Sequence, residues 1–319
     1  MSRAASRPRP ILTLLKLGIC ILIPASVLAG AISVPIDSML IAAPYALVLF
    51  ALVLALLALS RRWRGTALSL LAACVIAGAL LAVPLLPKGG AGDGEGTRVR
   101  LVSFNMYRDN PRVKEAIDWV IAQKADFVIL VEAVPGHASE IARLKTVFPY
   151  SYGCSAKTPC STMILSRQPA QDVWHLSKGD PENRKALSAV TARFAVGGQD
   201  LPITAVHLDR PWPQGAQERF YGVLNEAVAS VGRRGIVAGD FNSAPWTFAM
   251  RRMAAAGELH LASGATGTWP ADRLPRPLRL PLDQVYIGQC MTRAAVQHGP
   301  QLGSDHLPIV TDIIVGDCS

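Results

Sequence analysis

Ile236-Val237-Ala238-Gly239-Asp240-Phe241-Asn242-Ser243 is the stretch whose reading decides the fold. Its three leading apolar residues predict a short buried strand. Gly239 ends that run, and Asp240 and Asn242 follow two positions apart. In extended backbone, residues i and i+2 share a face. Asp240 and Asn242 are therefore expected to project together from the end of a core strand. A carboxylate beside a carboxamide suits metal and phosphate chemistry. The same letters also spell a turn, because Gly-Asp and Asn-Ser pairs punctuate loops.

The flanking sequence repeats the pattern of a polar residue closing an apolar run. Arg98 to Asn105 alternates polar and apolar side chains and ends on Asn105, as a strand does. Asp126 to Glu132 (DFVILVE) is a continuous apolar strand closed by Glu132, and Leu201 to Leu208 is a strand with His207 at its end. Leu280 to Ile287 carries Asp283, and Asp305-His306 precede a final strand, Ile309 to Val315. Further strands are predicted over Ser161–Ser166 and Ala186–Phe194. Helices are predicted over Val113–Ala125, Gln217–Val231 and Trp246–Ala256. The order implies an α+β or mixed α/β domain with polar residues gathered at strand ends. No GxxxxGK[ST] loop and no GxSxG elbow occurs, which argues against P-loop and serine-hydrolase chemistry.

The first third of the 319-residue chain is different. Apolar runs fill roughly residues 11–32, 39–60 and 66–86, with Lys16 their sole charge. A bilayer-crossing helix needs ~20 apolar residues, so three transmembrane helices are expected. A cleaved signal peptide is the competing reading of the first run, with Arg3, Arg7 and Arg9 as its basic flank. Arg61, Arg62 and Arg64 fill the loop between the second and third runs. The positive-inside rule puts that loop and the N-terminus in the cytoplasm, and the remainder on the outer face. The mean hydropathy of +0.29 agrees with a membrane part joined to a globular part. The formal net charge is +9, and residues 1–96 hold eight basic against three acidic side chains. Over half of the excess therefore sits where it sets topology, and the later residues are only mildly basic. Lys88 to Thr97 is Gly-rich and polar, a flexible tether. The domains expected are a membrane region over 1–87, a linker over 88–97 and a globular domain over 98–319.

Taken jointly, Asn105 in SFNMY, Glu132 in VILVEA, His207 in AVHL, Asp240 and Asn242 in GDFNS, Asp283 in PLDQVY, and Asp305 and His306 in GSDHLP resemble the endonuclease/exonuclease/phosphatase superfamily, the DNase I-like fold. That resemblance covers residues 99–315 and implies a four-layer αββα sandwich. Three spans ahead of such a domain, with Gly267-Thr268-Trp269-Pro270 before Asp283, look like the membrane-anchored bacterial branch that includes VanJ-type glycopeptide-resistance proteins. The resemblance implies a divalent cation, Mg²⁺ or Mn²⁺, held by Glu132, Asn105 and Asp305. It also implies His306 as general base, Asp283 fixing its tautomer, Asp240 aligning the water, and His207 and Asn242 donating to phosphoryl oxygens. Whether one ion or two act is left open. Arg184 and Arg210 are candidate phosphate clamps or solvated surface charges. Tyr150 and Tyr152 stand near the place of an extra phosphate-contacting group in nuclease branches, but they match no motif and are expected in the core.

Cys154, Cys160, Cys290 and Cys318 fall in the exported part, where disulfides persist. Pairs 154–160 and 290–318 are expected, although four cysteines allow three connectivities. Cys20 and Cys74 lie in spans as small apolar residues. The expected activity is hydrolysis of a phosphate ester or pyrophosphate at the outer face of the cytoplasmic membrane, on a lipid-linked substrate. An exported nuclease is the second reading, and a non-catalytic membrane scaffold the third.

Overall fold

The computed structural model describes residues 10–85, 96–153, 162–179, 186–211 and 217–316. The chain divides into two compact units. One comprises residues 1–84 with Trp246–Phe248, and the other residues 85–245 and 249–319.

The first unit is helical: α1 (Pro10–Ala29), α2 (Val34–Met39), α3 (Ala43–Ala58) and α4 (Arg64–Ala82). Two helical stretches, Val34–Ala58 and Arg64–Ala82, are long and apolar enough to cross a membrane by length and composition, and Leu14–Ala29 is a shorter apolar helix. The second and third expected spans thus correspond to stretches of spanning length. The first, expected over 11–32, does so only in part among the described residues. Arg3, Arg7, Arg9 and the tether up to residue 95 lie outside them.

The second unit is built on two six-stranded sheets. Its strands are β1 (Thr97–Asn105), β2 (Phe127–Val131), β3 (Tyr150–Gly153), β4 (Met163–Ser166), β5 (Asp172–Gly179), β6 (Ala186–Val196), β7 (Gln199–His207), β8 (Ile236–Asp240), β9 (Leu259–Leu261), β10 (Asp283–Gly288), β11 (Met291–His298) and β12 (Ile309–Val315). Sheet order is β11-β12-β1-β2-β4-β3 in one and β5-β6-β7-β8-β10-β9 in the other. Each sheet has one parallel pair at its centre, β1–β2 and β7–β8, and its other pairs are antiparallel.

Side-chain alternation makes the layers. Leu101, Phe127, Ile129 and Ile164 of the first sheet meet Val190, Phe194, Ile203, Ala238 and Val285 of the second in one buried cluster. The residues between them point the other way. Val102, Phe104, Val128 and Leu130 are buried with Ile117 and Val120 of α5 (Val113–Ala122). Val206, Val237 and Tyr286 pack with Leu224 and Val228 of α7 (Glu218–Ala229) and Met250 and Met253 of α8 (Phe248–Ala256). The short helix α6 (Ala138–Ala142) lies between β2 and β3 in sequence. Helix, sheet, sheet and helix are the four layers expected.

Gly239 closes the apolar run, and the strand continues through it to Asp240. The glycine lies inside β8 with φ +141, and a Cβ there would sit 1.9 Å from the Val206 carbonyl oxygen. The parallel neighbour β7 comes that close only because the side chain is missing. Tyr150 does not pack in the core. It opens the edge strand β3, pairs with Ser166 and stays exposed, while Tyr152 is half-buried against Phe194.

Candidate active site

The topology explains why the motif residues meet. In a parallel pair both strands end on the same side. On β7 and β8 those ends are His207 and Asp240, which stand in register, and antiparallel β10 brings its first residue, Asp283, opposite Asp240. The three side chains thus form one row across the second sheet. In the first sheet Asn105 ends β1 opposite Val131 of β2, and Glu132 follows directly.

The two groups converge on hydrogen bonds. Asn105 Nδ2 donates to Asp240 Oδ2 at 3.0 Å and approaches Glu132 Oε1 at 3.5 Å, bridging the sheets. Its Oδ1 accepts from the Tyr107 amide at 3.0 Å, which fixes the carboxamide's orientation. Glu132 Oε2 accepts from the Arg108 amide at 2.9 Å. Asp240 Oδ1 accepts from the Asn242 amide at 2.8 Å. Asn242 Nδ2 donates to Leu208 O at 2.8 Å and faces Asp240 Oδ2 at 3.4 Å. Tyr107, Glu132 and Asn242 all have positive φ, near +57, +57 and +46. Non-glycine residues avoid that region unless the surroundings hold them there.

His306 enters from the loop before β12. Its Nδ1 is 2.7 Å from Asp283 Oδ2, while Nε2 lies 3.8 Å from Asp240 Oδ2 and 3.9 Å from Asp305 Oδ1. Both longer gaps exceed a direct hydrogen bond and suit a shared water. His207 Nε2 stands 3.9 Å from the same Asp240 oxygen. Asp305 is steered by Trp269, whose Nε1 donates to Oδ2 at 2.9 Å.

Burial and charge set the protonation states. Burial opposes a charge on His306, but Asp283 and Asp240 outweigh it and raise the imidazole to about 10. Burial dominates at His207 and lowers it to about 4, so that ring is neutral. Asp240 is pushed up to about 7 by burial, against the pull of His306 and the Asn242 and Asn105 donors. At Glu132 burial also works upward, yet the nearby imidazoles and the Arg108 and Asn105 donors leave it below the usual carboxylate range.

The donor set fits a hard divalent cation. Glu132, Asp240 and Asp305 offer carboxylate oxygens, and no thiolate joins them among the described residues, the chemistry Mg²⁺ or Mn²⁺ favours. Asp240, Asp283 and His306 also bring ligand atoms within 4.8 Å of one another. In that trio Asp283 Oδ2 already holds His306 Nδ1, so it reads better as a base with its orienting carboxylate.

Arg210 is exposed, and its charge acts on His207. Arg184 lies outside the described residues. Several supporting residues carry no sequence signal of their own. Ser304 Oγ donates to Asn105 O at 2.7 Å and accepts from the His306 amide at 3.0 Å, tying the His306 loop to β1. Gln217 Nε2 reaches the Phe241 and Asn242 carbonyls, and Gln284 Nε2 reaches Ser243 O at 2.6 Å. A buried glutamine amide holding a loop carbonyl leaves no local periodicity to find. Only the GTWP and GSDH stretches flagged Trp269 and Ser304.

With this geometry in view, the comparisons agree. The profile of the Endonuclease/Exonuclease/phosphatase family matches residues 102–306, more than half of the chain, and the protein belongs to that family. It is a hydrolase of phosphoester bonds. Among curated proteins none matches the chain. Solved structures with this fold include an endonuclease/exonuclease/phosphatase from Bacteroides vulgatus, 17% identical, covering 69% of this chain and 99% of that one, TM-score 0.57. Another, from Beutenbergia cavernae, is 20% identical and covers 69% and 72%, TM-score 0.55. D. rerio TDP2, solved with a single-strand DNA product, is 16% identical and covers 68% and 98%, TM-score 0.52.

Proposed function

We propose that the chain is a membrane-tethered, divalent-metal-dependent phosphoesterase acting at the outer face of the cytoplasmic membrane on a lipid-linked phosphate or pyrophosphate. Residues 1–87 are the anchor, 88–97 the tether and 98–319 the catalytic domain. The observation that carries the chemistry is His306, held at Nδ1 by Asp283 and presenting Nε2 toward Asp240.

In this reading Glu132 and Asp305 would hold the cation, with Asn105 orienting Glu132 through Nδ2, and the cation would draw charge from the phosphoryl oxygens. Asp240 aligns a water, and the deprotonated form of His306 takes its proton at Nε2, while Asp283 and Asp240, which raise the ring to about 10, steady the resulting imidazolium. Neutral His207 donates one N–H toward the phosphoryl oxygens, and Asn242, whose second amide proton makes only a long 3.4 Å contact with Asp240 Oδ2, turns that proton to them when substrate binds. The spanning-length helices support the tether, which concentrates a membrane-borne substrate at the site. The arginines at 61, 62 and 64 support the orientation. Cys290 is disulfide-bonded, in keeping with an oxidising compartment. Its expected partner Cys318, and the expected Cys154–Cys160 pair, lie outside the described residues.

The test is a phosphate-release panel on the full chain in detergent with Mg²⁺ or Mn²⁺. Polyprenyl pyrophosphate should be hydrolysed well ahead of phospholipid or duplex DNA. Salt-sensitive plasmid nicking without lipid turnover would establish the nuclease reading instead.

A pH profile checks the base. His306 works deprotonated, so kcat/KM should rise with pH along an acid limb. Asp283 raises the His306 pKa, so Asp283→Asn should move that limb to lower pH by about one unit or more, besides slowing turnover. A limb left in place would remove His306 from the role of base.

A further inference from the structure

Residues 272–278 (Asp-Arg-Leu-Pro-Arg-Pro-Leu) are exposed without interruption. They form the tip of a loop pinned at its base, where Trp269 and Leu280 exchange backbone hydrogen bonds of 3.0 and 2.6 Å. Arg279 braces the loop from inside, donating through Nε to Leu274 O at 2.7 Å and through Nη2 to Ala271 O at 3.0 Å. A short 3₁₀ turn, Arg276–Leu278, shapes the tip. The loop is therefore held in one form.

Its composition is unusual for such a position. Among the described residues of 97–316, the exposed large hydrophobics are Tyr150, Leu274 and Leu278, and Leu278 is 52% exposed. Two of the three thus share one loop. Arg273 and Arg276 flank them. Arg273 pairs with the neighbouring Asp272 at 3.0 Å, and Arg276 makes no ion pair among the described residues. Braced leucines between arginines match the chemistry of an anionic bilayer surface, with apolar tips for the acyl boundary and guanidinium groups for phosphate headgroups. The loop also borders the catalytic groups. Ala271 N donates to Asp305 O at 2.7 Å, and Trp269 beside it holds the Asp305 carboxylate.

We infer that the 272–279 loop is an interfacial foot, seating the catalytic rim on an anionic lipid surface so that a lipid-borne phosphate reaches His306 without leaving the bilayer. The substrate half of this inference rests on the lipid-linked reading above. The docking half does not.

The test uses the full chain in nanodiscs of phosphatidylglycerol or phosphatidylcholine, and in detergent. Hydrogen exchange of peptides spanning 272–279 should slow about tenfold in phosphatidylglycerol discs relative to detergent, and less in phosphatidylcholine. The double variants Leu274→Ser/Leu278→Ser and Arg273→Gln/Arg276→Gln should lose that protection. Both should cleave soluble bis-p-nitrophenyl phosphate at the wild-type rate; on disc-borne polyprenyl pyrophosphate the arginine pair should be about thirtyfold slower, from the ~1 kcal/mol each basic residue contributes at an anionic surface, and the leucine pair about tenfold slower. Equal exchange in all three media overturns the inference, as does protection seen only when duplex DNA is added in detergent. Loop protection with a wild type inert toward polyprenyl pyrophosphate upholds docking and sinks the substrate reading. Lipid turnover that both variants retain, with unchanged loop exchange, sinks docking alone.

Discussion

Replacing His306 with alanine should lower kcat by about 10²–10⁴-fold, the range a positioned general base contributes. The imidazole is 5% exposed and its Nδ1 is bound to Asp283, which is 2% exposed. Its removal therefore also strands a buried carboxylate, at a cost of about 3–5 kcal/mol if that group stays charged. His306→Gln separates the two effects. The amide can keep a donor to Asp283 but cannot take a proton from water. Both variants should be slowed to that extent with metal bound as tightly as in the wild type, and only the alanine variant should melt markedly earlier. Added imidazole should restore part of the alanine variant's turnover. Activity within tenfold of wild type in both variants would end the assignment of His306 as base.

The second large effect concerns stability. Gly239→Ala should destabilise the catalytic unit by about 3 kcal/mol or more, combining a backbone conformation side chains avoid with a collision against the Val206 carbonyl. In a unit of this size that lowers the melting midpoint by roughly 6–12 °C. Gly222 is the control. It lies in α7, where an added Cβ would meet nothing within 4 Å, so Gly222→Ala should leave the midpoint unchanged or raise it. Differential scanning fluorimetry of the full chain in detergent measures both. Equal midpoints for the two variants would show that β7 and β8 can separate to admit a methyl group. Asp240 adjoins Gly239, so the variant should also lose activity out of proportion to its stability.

The strands that could be read in advance share a physical property. β2 and β8 are central, buried on both faces, and so open as apolar runs; β12 is equally buried, with Thr311 and Asp312 set between its apolar ends. β1 and β7 likewise bury the halves that lead to Asn105 and His207. The four strands with no such signal, β3, β5, β9 and β11, are the four sheet edges. An edge strand has one hydrogen-bonded neighbour and less cover. Met291 to His298 is mostly half-buried and mixes Thr, Arg, Gln and His with alanine and valine. Its pairing with β12 fixes it as a strand, and local periodicity does not.

The amino-acid sequence alone determined which chemistry the protein could perform. Carboxylates, amides and imidazoles closing apolar runs are a local property, because a strand end is where a core side chain gives way to a polar one. It also determined that the first third is apolar enough for bilayer-length helices. Tertiary structure decided the relations between those ends. The shared direction of β7 and β8, and the register of β10 across them, place His207, Asp240 and Asp283 in one row. Asn105 then joins that row to Glu132 across two sheets. The pairings Asn105 makes join residues 27 and 135 positions apart, farther than the reach of strand or helix periodicity. The same holds for Gly239, a turn signal when read locally, whose missing side chain is required by a neighbouring strand.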